Sequence, residues 1–179
     1  MRLPSHELDA RAARLKLLLF DVDGVLTDGT VTLGEDGAES KRFSIRDGAA
    51  LIWARRDGLK VGWISGRVSG ATARRAAELG ITTAVQGAAD KRAALAEILE
   101  AHGVTAAETA FMGDDLIDLP VLAQVGLSAS PADAADEVRT RAHWVSTRPG
   151  GRGAVREFIE MVLKARGRWT GLVQGYDRS

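Results

Sequence analysis

Hydrophobic and polar residues divide this chain into short apolar runs that alternate with longer segments of helical spacing. The apolar runs have the length of buried strands, and they cover positions 17–20, 59–64, 81–85 and 109–112. Apolar residues three and four positions apart predict helices over about 47–56, 69–79, 90–102, 116–124 and 154–165. Weaker patterns predict helices at 5–13 and 133–139 and strands at 127–129 and 144–145.

The alternation of strands and helices predicts an α/β fold, a doubly wound parallel sheet with helices on both faces. Two β-capable runs at 30–33 and 39–45 flank a Gly-Glu-Asp-Gly turn, which predicts a β-hairpin insertion at about 29–45. We expect Ser5 and Asp47 to cap the helices that begin beside them. We also expect a single domain over 1–179, with no separate cap domain and a loose, flexible tail at about 167–179.

Composition and charge narrow the possible functions. The 24 basic and 24 acidic residues cancel, so nothing global favours binding to nucleic acid or to an anionic membrane surface. The absence of cysteine excludes disulfides and thiolate chemistry and is compatible with a reducing compartment. Because no apolar stretch has the length of a signal peptide or a membrane span, we expect a cytoplasmic protein.

Two carboxylates follow the first apolar run. Asp21 and Asp23 stand one residue apart where the strand ends, so both side chains can point into one cleft at its carboxyl end. Two like charges this close repel each other unless a cation lies between them or one carboxyl keeps its proton. The pair therefore indicates metal-assisted acid chemistry, and the alternative is an Asp-rich turn that caps a helix.

Groups suited to an oxyanion follow the next strands. Ser65 and Gly66 offer a hydroxyl and an unhindered N–H at the start of a helix, which suits a phosphate, although an ordinary helix cap explains them too. Lys91 lies near a helix start, where the helix dipole does not favour a cation, so its position indicates a ligand. A solvated surface lysine is the alternative reading of Lys91.

A second acidic group follows the fourth strand. Gly113, Asp114 and Asp115, with Asp118 one turn later, are typical of a site for a hard cation, or of acids at a helix N-terminus. Parallel topology would bring all of these groups to one edge of the sheet. Two facing acidic clusters would bind Mg²⁺ while Ser65 and Lys91 neutralise phosphate oxygens, so the set predicts a phosphoryl-transfer site.

In order and spacing, these groups resemble the four motifs of the haloacid dehalogenase superfamily of phosphohydrolases. Within it, four segments look like those of the 3-deoxy-D-manno-octulosonate 8-phosphate phosphatases, at positions 21–29, 46–48, 113–118 and 150–157. That family usually has Thr where this chain has Ser65, which keeps the hydroxyl. The resemblance implies a Rossmann-like core and Mg²⁺-dependent hydrolysis of a phosphorylated sugar acid in lipopolysaccharide precursor synthesis.

The resemblance also implies residue roles. Asp21 would be the nucleophile that forms an aspartyl-phosphate, and Asp23 would protonate the leaving alkoxide and later act as base on water. The Mg²⁺ ligands would be Asp21, the backbone carbonyl of Asp23, and Asp114, with support from Asp118 or Asp115. The substrate's phosphoryl group would contact Asp23, Ser65, the Gly66 N–H and Lys91.

The family forms homotetramers, which implies that a neighbouring subunit covers the site. Arg46, Arg67 and Arg152 are candidates for binding the carboxylate of a sugar acid, because the planar guanidinium can bind it bidentately. Surface arginines paired with nearby acids are the alternative. Two other functions stay open: a capless phosphatase for another nonulosonic or sugar-acid phosphate, and a signalling receiver domain, in which the phosphorylated Asp follows a middle strand.

Overall fold

The computed structural model describes residues 2–178 and contains a six-stranded parallel sheet flanked by helices. The strands are β1 (Leu17–Phe20), β2 (Thr32–Leu33), β3 (Glu39–Ser40), β4 (Lys60–Ile64), β5 (Thr83–Val85), β6 (Thr109–Met112), β7 (Leu127–Ser130) and β8 (Trp144–Val145). The helices are α1 (Ser5–Ala13), α2 (Ile45–Arg56), α3 (Gly70–Glu78), α4 (Lys91–His102), α5 (Leu119–Leu122), α6 (Asp136–Arg141), α7 (Ala154–Ala165) and α8 (Trp169–Asp177). No helix in this part of the chain is long and apolar enough to cross a membrane.

The sheet order is β5-β4-β1-β6-β7-β8, and every neighbouring pair is parallel. The strand order reverses at β1, which has β4 on one side and β6 on the other. Phe20 is in register with Trp63 and with Met112, so the three central strands end within one residue of one another. Ligands of such sheets bind beyond the carboxyl ends of the strands at a point where the order reverses.

The central strand β1 is buried at all four positions, as expected for a strand covered by helices on both faces. Its side chains alternate between two cores. Leu18 and Phe20 pack in one core with α2 and α7, whereas Leu17 and Leu19 pack in the other with α4 and α5. The prediction of a doubly wound sheet is confirmed.

The hairpin prediction is also confirmed, since β2 and β3 form a small antiparallel pair. The predicted helix caps are wrong. Pro4, with no side-chain hydrogen bond, precedes α1, so Ser5 lies inside that helix. The side chain of Ser44 caps α2, and the buried Asp47 carboxylate instead accepts hydrogen bonds from the Gly153 and Arg156 N–H groups at the start of α7. Asp47 thus satisfies the free N–H groups of a helix more than 100 residues later.

The expected loose tail is corrected over its described part, because residues 169–177 form α8. Trp53 on α2 contacts the rings of Trp169 and Tyr176 edge-on, and its indole N–H donates to the Tyr176 hydroxyl over 2.9 Å. These aromatic contacts supply the stabilisation that the helix lacks by itself, since Gly171 and Gly175 have low helix propensity. Position 179, the end of the predicted tail, lies outside the described residues.

Candidate active site

A cavity of about 250 Å³ opens at the carboxyl ends of β1, β4 and β6. Its lining residues are Asp21, Asp23, Gly29, Ser65, Gly66, Arg67, Asp114, Asp115 and Ile117. All of these except Gly29 and Ile117 are residues that the sequence singles out for catalysis, substrate or metal binding. A larger cleft of about 930 Å³ lies at the opposite edge of the sheet, where lysines and arginines are already paired with acids or backbone carbonyls. The smaller cavity is therefore the one that gathers the predicted site residues.

Lys91 lies beneath the cavity and joins two acids. Its Nζ is 2.8 Å from Asp21 Oδ1 and 2.7 Å from Asp118 Oδ1, and all three side chains are buried. Lys91 is the first residue of α4, and the Asp90 side chain caps that helix by accepting from the Arg92 N–H. The helix dipole opposes a cation at this position, so the two carboxylates account for the placement of Lys91. The sequence-based alternative of a solvated lysine is wrong.

These contacts shift the pKa values of the buried groups. Burial raises the pKa of Asp21, repulsion from Asp118 adds to the rise, and Lys91 opposes it. Burial alone would lower the pKa of Lys91, but the charges of Asp21 and Asp118 outweigh burial and raise it. Burial also raises the pKa of Asp114, and repulsion from Asp21 and Asp118 adds to that rise. The positive charge that the protein places beside the three carboxylates is therefore too small to offset their burial and mutual repulsion.

The same three acids can hold a cation. Asp21, Asp114 and Asp118 each offer a carboxylate oxygen, and these oxygens all lie within 4.8 Å of one another. Asp114 Oδ1 is buried and has no hydrogen-bond partner among the described residues, which leaves it available as a ligand. Carboxylate oxygens are the ligands that Mg²⁺ prefers in proteins. The donor set therefore fits the ion that the sequence predicts.

Local backbone geometry makes room for this cluster. Gly24 has φ +91°, and a Cβ at that position would lie 2.0 Å from Asp114 Oδ2. Asp118 Oδ2 accepts from the N–H groups of Asp114 at 2.9 Å and Asp115 at 3.3 Å, which fixes the acidic loop. The Asp115 carboxylate accepts from the Leu116 N–H at 2.8 Å. Asp118 rather than Asp115 therefore belongs to the acid cluster, while both contribute to the shape of the loop.

Asp23 has a partner that sequence reasoning missed. Its Oδ1 lies 2.6 Å from the Nζ of Lys41, a residue just after β3 whose side chain has no exposed surface. Lys41 lies in the second β-capable run of the predicted hairpin, among the polar residues 39–42, and nothing in that run indicates a partner for it. Thr27 was missed as well. Its buried hydroxyl accepts from the N–H groups of Gly24 and Gly29 and shapes the loop that carries the acid pair.

Ser65 is buried at the end of β4, and its hydroxyl accepts from the Arg67 N–H at 3.1 Å. Arg67 lines the same cavity and pairs with Glu39 of the hairpin at 2.8 Å. The other two candidate arginines lie elsewhere: Arg46 and Arg152 line a separate cavity of about 520 Å³ beside α7. The structure thus brings one predicted arginine to the acids, and a role for Arg46 and Arg152 stays a prediction.

Comparison with known proteins agrees with this geometry. Residues 77–159 match the protein family described as haloacid dehalogenase-like hydrolase. The 3-deoxy-D-manno-octulosonate 8-phosphate phosphatase KdsC of Escherichia coli K12 is 42% identical over 164 residues, which cover 92% of this chain and 87% of that protein. The chain belongs to the haloacid dehalogenase-like hydrolases.

This haloacid dehalogenase-like hydrolase is also similar to solved structures of enzymes named 3-deoxy-D-manno-octulosonate 8-phosphate phosphatase. The crystal structure of 3-deoxy-D-manno-octulosonate 8-phosphate phosphatase from Yersinia pestis has a TM-score of 0.91 and 42% identity, covering 92% of this chain and 89% of that one. The enzyme of that name from Moraxella catarrhalis, solved with magnesium, phosphate and KDO, has a TM-score of 0.93 and 34% identity, covering 96% and 98%. These likenesses confirm the predicted fold of the hydrolase.

Proposed function

We propose that this protein is a Mg²⁺-dependent phosphatase that hydrolyses 3-deoxy-D-manno-octulosonate 8-phosphate to the free sugar acid and phosphate. The observation that carries the proposal is the convergence of Asp21, Asp114 and Asp118 on one point, with Lys91 between two of them. Relatives of that name at 42% identity support this substrate, as does the Moraxella structure with magnesium, phosphate and KDO.

The residues that would hold Mg²⁺ are Asp21, Asp114 and Asp118, with the backbone carbonyl of Asp23. When bound, the ion supplies positive charge that offsets the phosphate oxygens and polarises the phosphorus for attack. The unpartnered Asp114 Oδ1 and the clustering of the three carboxylates support this assignment.

The protein's own side chains divide the reaction into two steps. Asp21 attacks phosphorus while Asp23 gives a proton to the sugar oxygen that leaves, and an aspartyl-phosphate forms. Asp23 then takes a proton from water, whose oxygen attacks the same phosphorus and releases Asp21. Lys91 holds Asp21 Oδ1 and offsets charge on the phosphoryl group, and Ser65 with the Gly66 N–H contacts the remaining oxygens. A covalent intermediate of this kind splits a very high barrier into two lower ones.

Arg67 is the proposed contact for the sugar-acid carboxylate, because it lines the cavity and carries a planar donor group. Arg46 and Arg152, in the separate cavity beside α7, are proposed to contribute once a second subunit completes the site. We infer a homotetramer of single-domain chains, since apolar Leu33, Val68 and Ile117 are exposed on the hairpin and around the cavity mouth. We also infer a cytoplasmic enzyme of lipopolysaccharide precursor synthesis.

Phosphate release from the octulosonate 8-phosphate tests the proposal. The natural protein should release phosphate with Mg²⁺ and lose that activity with a chelator, and Asp21→Asn should be inactive while it keeps its fold. Asp9→Asn, an exposed aspartate of α1, is the matched control and should behave like the natural protein. Unchanged turnover in Asp21→Asn would exclude the covalent route.

A panel of other nonulosonic and sugar-acid phosphates tests the alternative substrate. Faster turnover of one of these would replace the proposed substrate and leave the chemistry intact. The receiver-domain reading is set aside, because the matched family and the relatives are hydrolases.

A further inference from the structure

Lys41 connects the hairpin to the catalytic loop through a series of charged contacts. Its Nζ lies 2.6 Å from Asp23 Oδ1 and 3.5 Å from Glu39 Oε1. Glu39 Oε2 in turn lies 2.8 Å from the guanidinium of Arg67. Four charged side chains thus run from the loop after β1, through the end of β3, to the loop after β4. The series links the proposed proton-transfer group to the proposed substrate-binding arginine.

The burial of Lys41 is costly. Its side chain has no exposed surface, so the ammonium loses hydration and the long stem loses rotamer freedom. A well-packed apolar side chain commonly stabilises such a position as well as a buried ion pair does. The strands of the hairpin have only two residues each, so fold stability gives little reason for this charge. The buried charge of Lys41 is therefore better explained by its effect on the Asp23 carboxylate, which it contacts.

We propose that Lys41 is a positioning residue that fixes the orientation of the Asp23 carboxylate for proton transfer, an inference that rests on the proposed phosphatase function. Lys41 holds Oδ1, which leaves Oδ2 as the atom that exchanges protons. Over residues 2–178, Lys41 is the one side chain that pairs with Asp23, so its removal frees the carboxylate to rotate. Glu39 on the other side of Lys41 limits the net charge brought to the cleft.

The two steps of the reaction depend differently on the Asp23 proton, and this difference distinguishes a positioning role of Lys41 from a role in folding. In the first step a bond forms between Asp21 and phosphorus, the bond from phosphorus to the leaving oxygen breaks, and Asp23 gives its proton to that oxygen. A sugar alkoxide is strongly basic and needs this proton, whereas nitrophenolate is a weak base and leaves without it. In the second step Asp23 takes a proton from the attacking water, whatever group has left.

The experiment compares the natural protein with Lys41→Met on the octulosonate 8-phosphate and on p-nitrophenyl phosphate, both with Mg²⁺. For the sugar phosphate, kcat should fall by about 10- to 100-fold, part of the 10²–10⁴ that positioned proton transfer typically contributes. KM should change little, because over the described residues Lys41 pairs with Asp23 and Glu39 and not with Ser65, Gly66 or Lys91, which would grip the phosphoryl oxygens. For p-nitrophenyl phosphate, the variant should release one nitrophenolate per site at the natural rate and then turn over slowly.

Lys16→Met is the matched control, since it removes a lysine that is ion-paired with Glu108 at the opposite edge of the sheet. It should leave both substrates unaffected. The proposal is overturned if Lys41→Met leaves kcat unchanged, or if it loses the rapid nitrophenolate release together with sugar phosphate turnover. It is also overturned if Lys41→Met and Lys41→Gln both lose their circular dichroism spectrum, since Lys41 would then serve folding alone.

Failure of the proposed substrate is a separate outcome. If the natural protein ignores the octulosonate 8-phosphate and hydrolyses another alkyl phosphate, the substrate assignment is wrong. The comparison for Lys41 is then made with that alkyl phosphate, and the same results support or overturn it.

Discussion

Replacement of Lys91 by methionine should destabilise the folded protein, and by more as the pH rises. Lys91 lies 2.8 Å from Asp21 Oδ1 and 2.7 Å from Asp118 Oδ1, and none of the three side chains is more than 7% exposed. Each contact is worth about 6 kcal/mol by Coulomb's law at an effective dielectric constant of about 20. Desolvation of the three charges offsets most of this, so we expect a net loss of about 3–5 kcal/mol in the free energy of unfolding.

The sign of the pH dependence follows from the pKa of Asp21. Burial and Asp118 raise this pKa, and the opposing effect of Lys91 disappears in the variant. A carboxyl whose pKa is higher in the folded than in the unfolded protein contributes stability below its ordinary pKa, and this contribution is lost as the pH rises through the raised value. The deficit of Lys91→Met should therefore be smaller near about pH 5 than near about pH 8, although loss of the contact with Asp118 contributes at both pH values.

Urea unfolding at both pH values, with a chelator present, measures the two deficits. Arg92→Met is the matched control, because Arg92 lies in the same helical turn and its ion pair with Asp90 is exposed. It should change stability little, and equally at both pH values. A Lys91→Met protein as stable as the natural one at pH 8, or a deficit that does not depend on pH, would refute this reasoning.

Two further predictions concern residues that support the site. Asp47→Ala should lower the free energy of unfolding by about 1–2 kcal/mol, because the first turn of α7 loses the acceptor for two N–H groups, and urea unfolding measures this. Asp47→Asn should recover part of the loss, and equal stability of all three proteins would contradict the capping role. Gly24→Ala should displace the Asp114 carboxylate, lower turnover by about 100-fold and raise the Mg²⁺ concentration needed for half-maximal activity. An unchanged Mg²⁺ requirement would show that Asp114 does not need this space.

The convergence of the acid groups could be predicted from sequence because it depends on strand order alone. Asp21, Ser65 and Asp114 each follow a buried apolar run, and parallel strands present their carboxyl ends at one edge. The placement of Lys91 could be predicted in part, because a cation at a helix start opposes the dipole and indicates a partner elsewhere. The spacing of these residues thus encodes most of the candidate site.

Contacts between distant segments could not be predicted in this way. The partners of Lys41 and Asp47 depend on how the hairpin and α7 fold back on the sheet, and the local pattern around each residue does not indicate its partner. The helix α8 was missed because two glycines weaken its local signal and its stabilisation comes from Trp53, more than 100 residues earlier. Each of these features is set by tertiary contact, which overrides local propensity.

The charges around the cavity explain why a chain of zero net charge can still need a cation at one point. Asp21, Asp114 and Asp118 face a single buried ammonium, that of Lys91. The other nearby cations are already committed, since Lys41 is paired with Asp23 and Arg67 with Glu39. A phosphate monoester would add further negative charge to this surplus of acids. Because residues 2–178 supply no unpaired positive charge at this point, binding of a divalent ion and binding of the phosphate should reinforce each other.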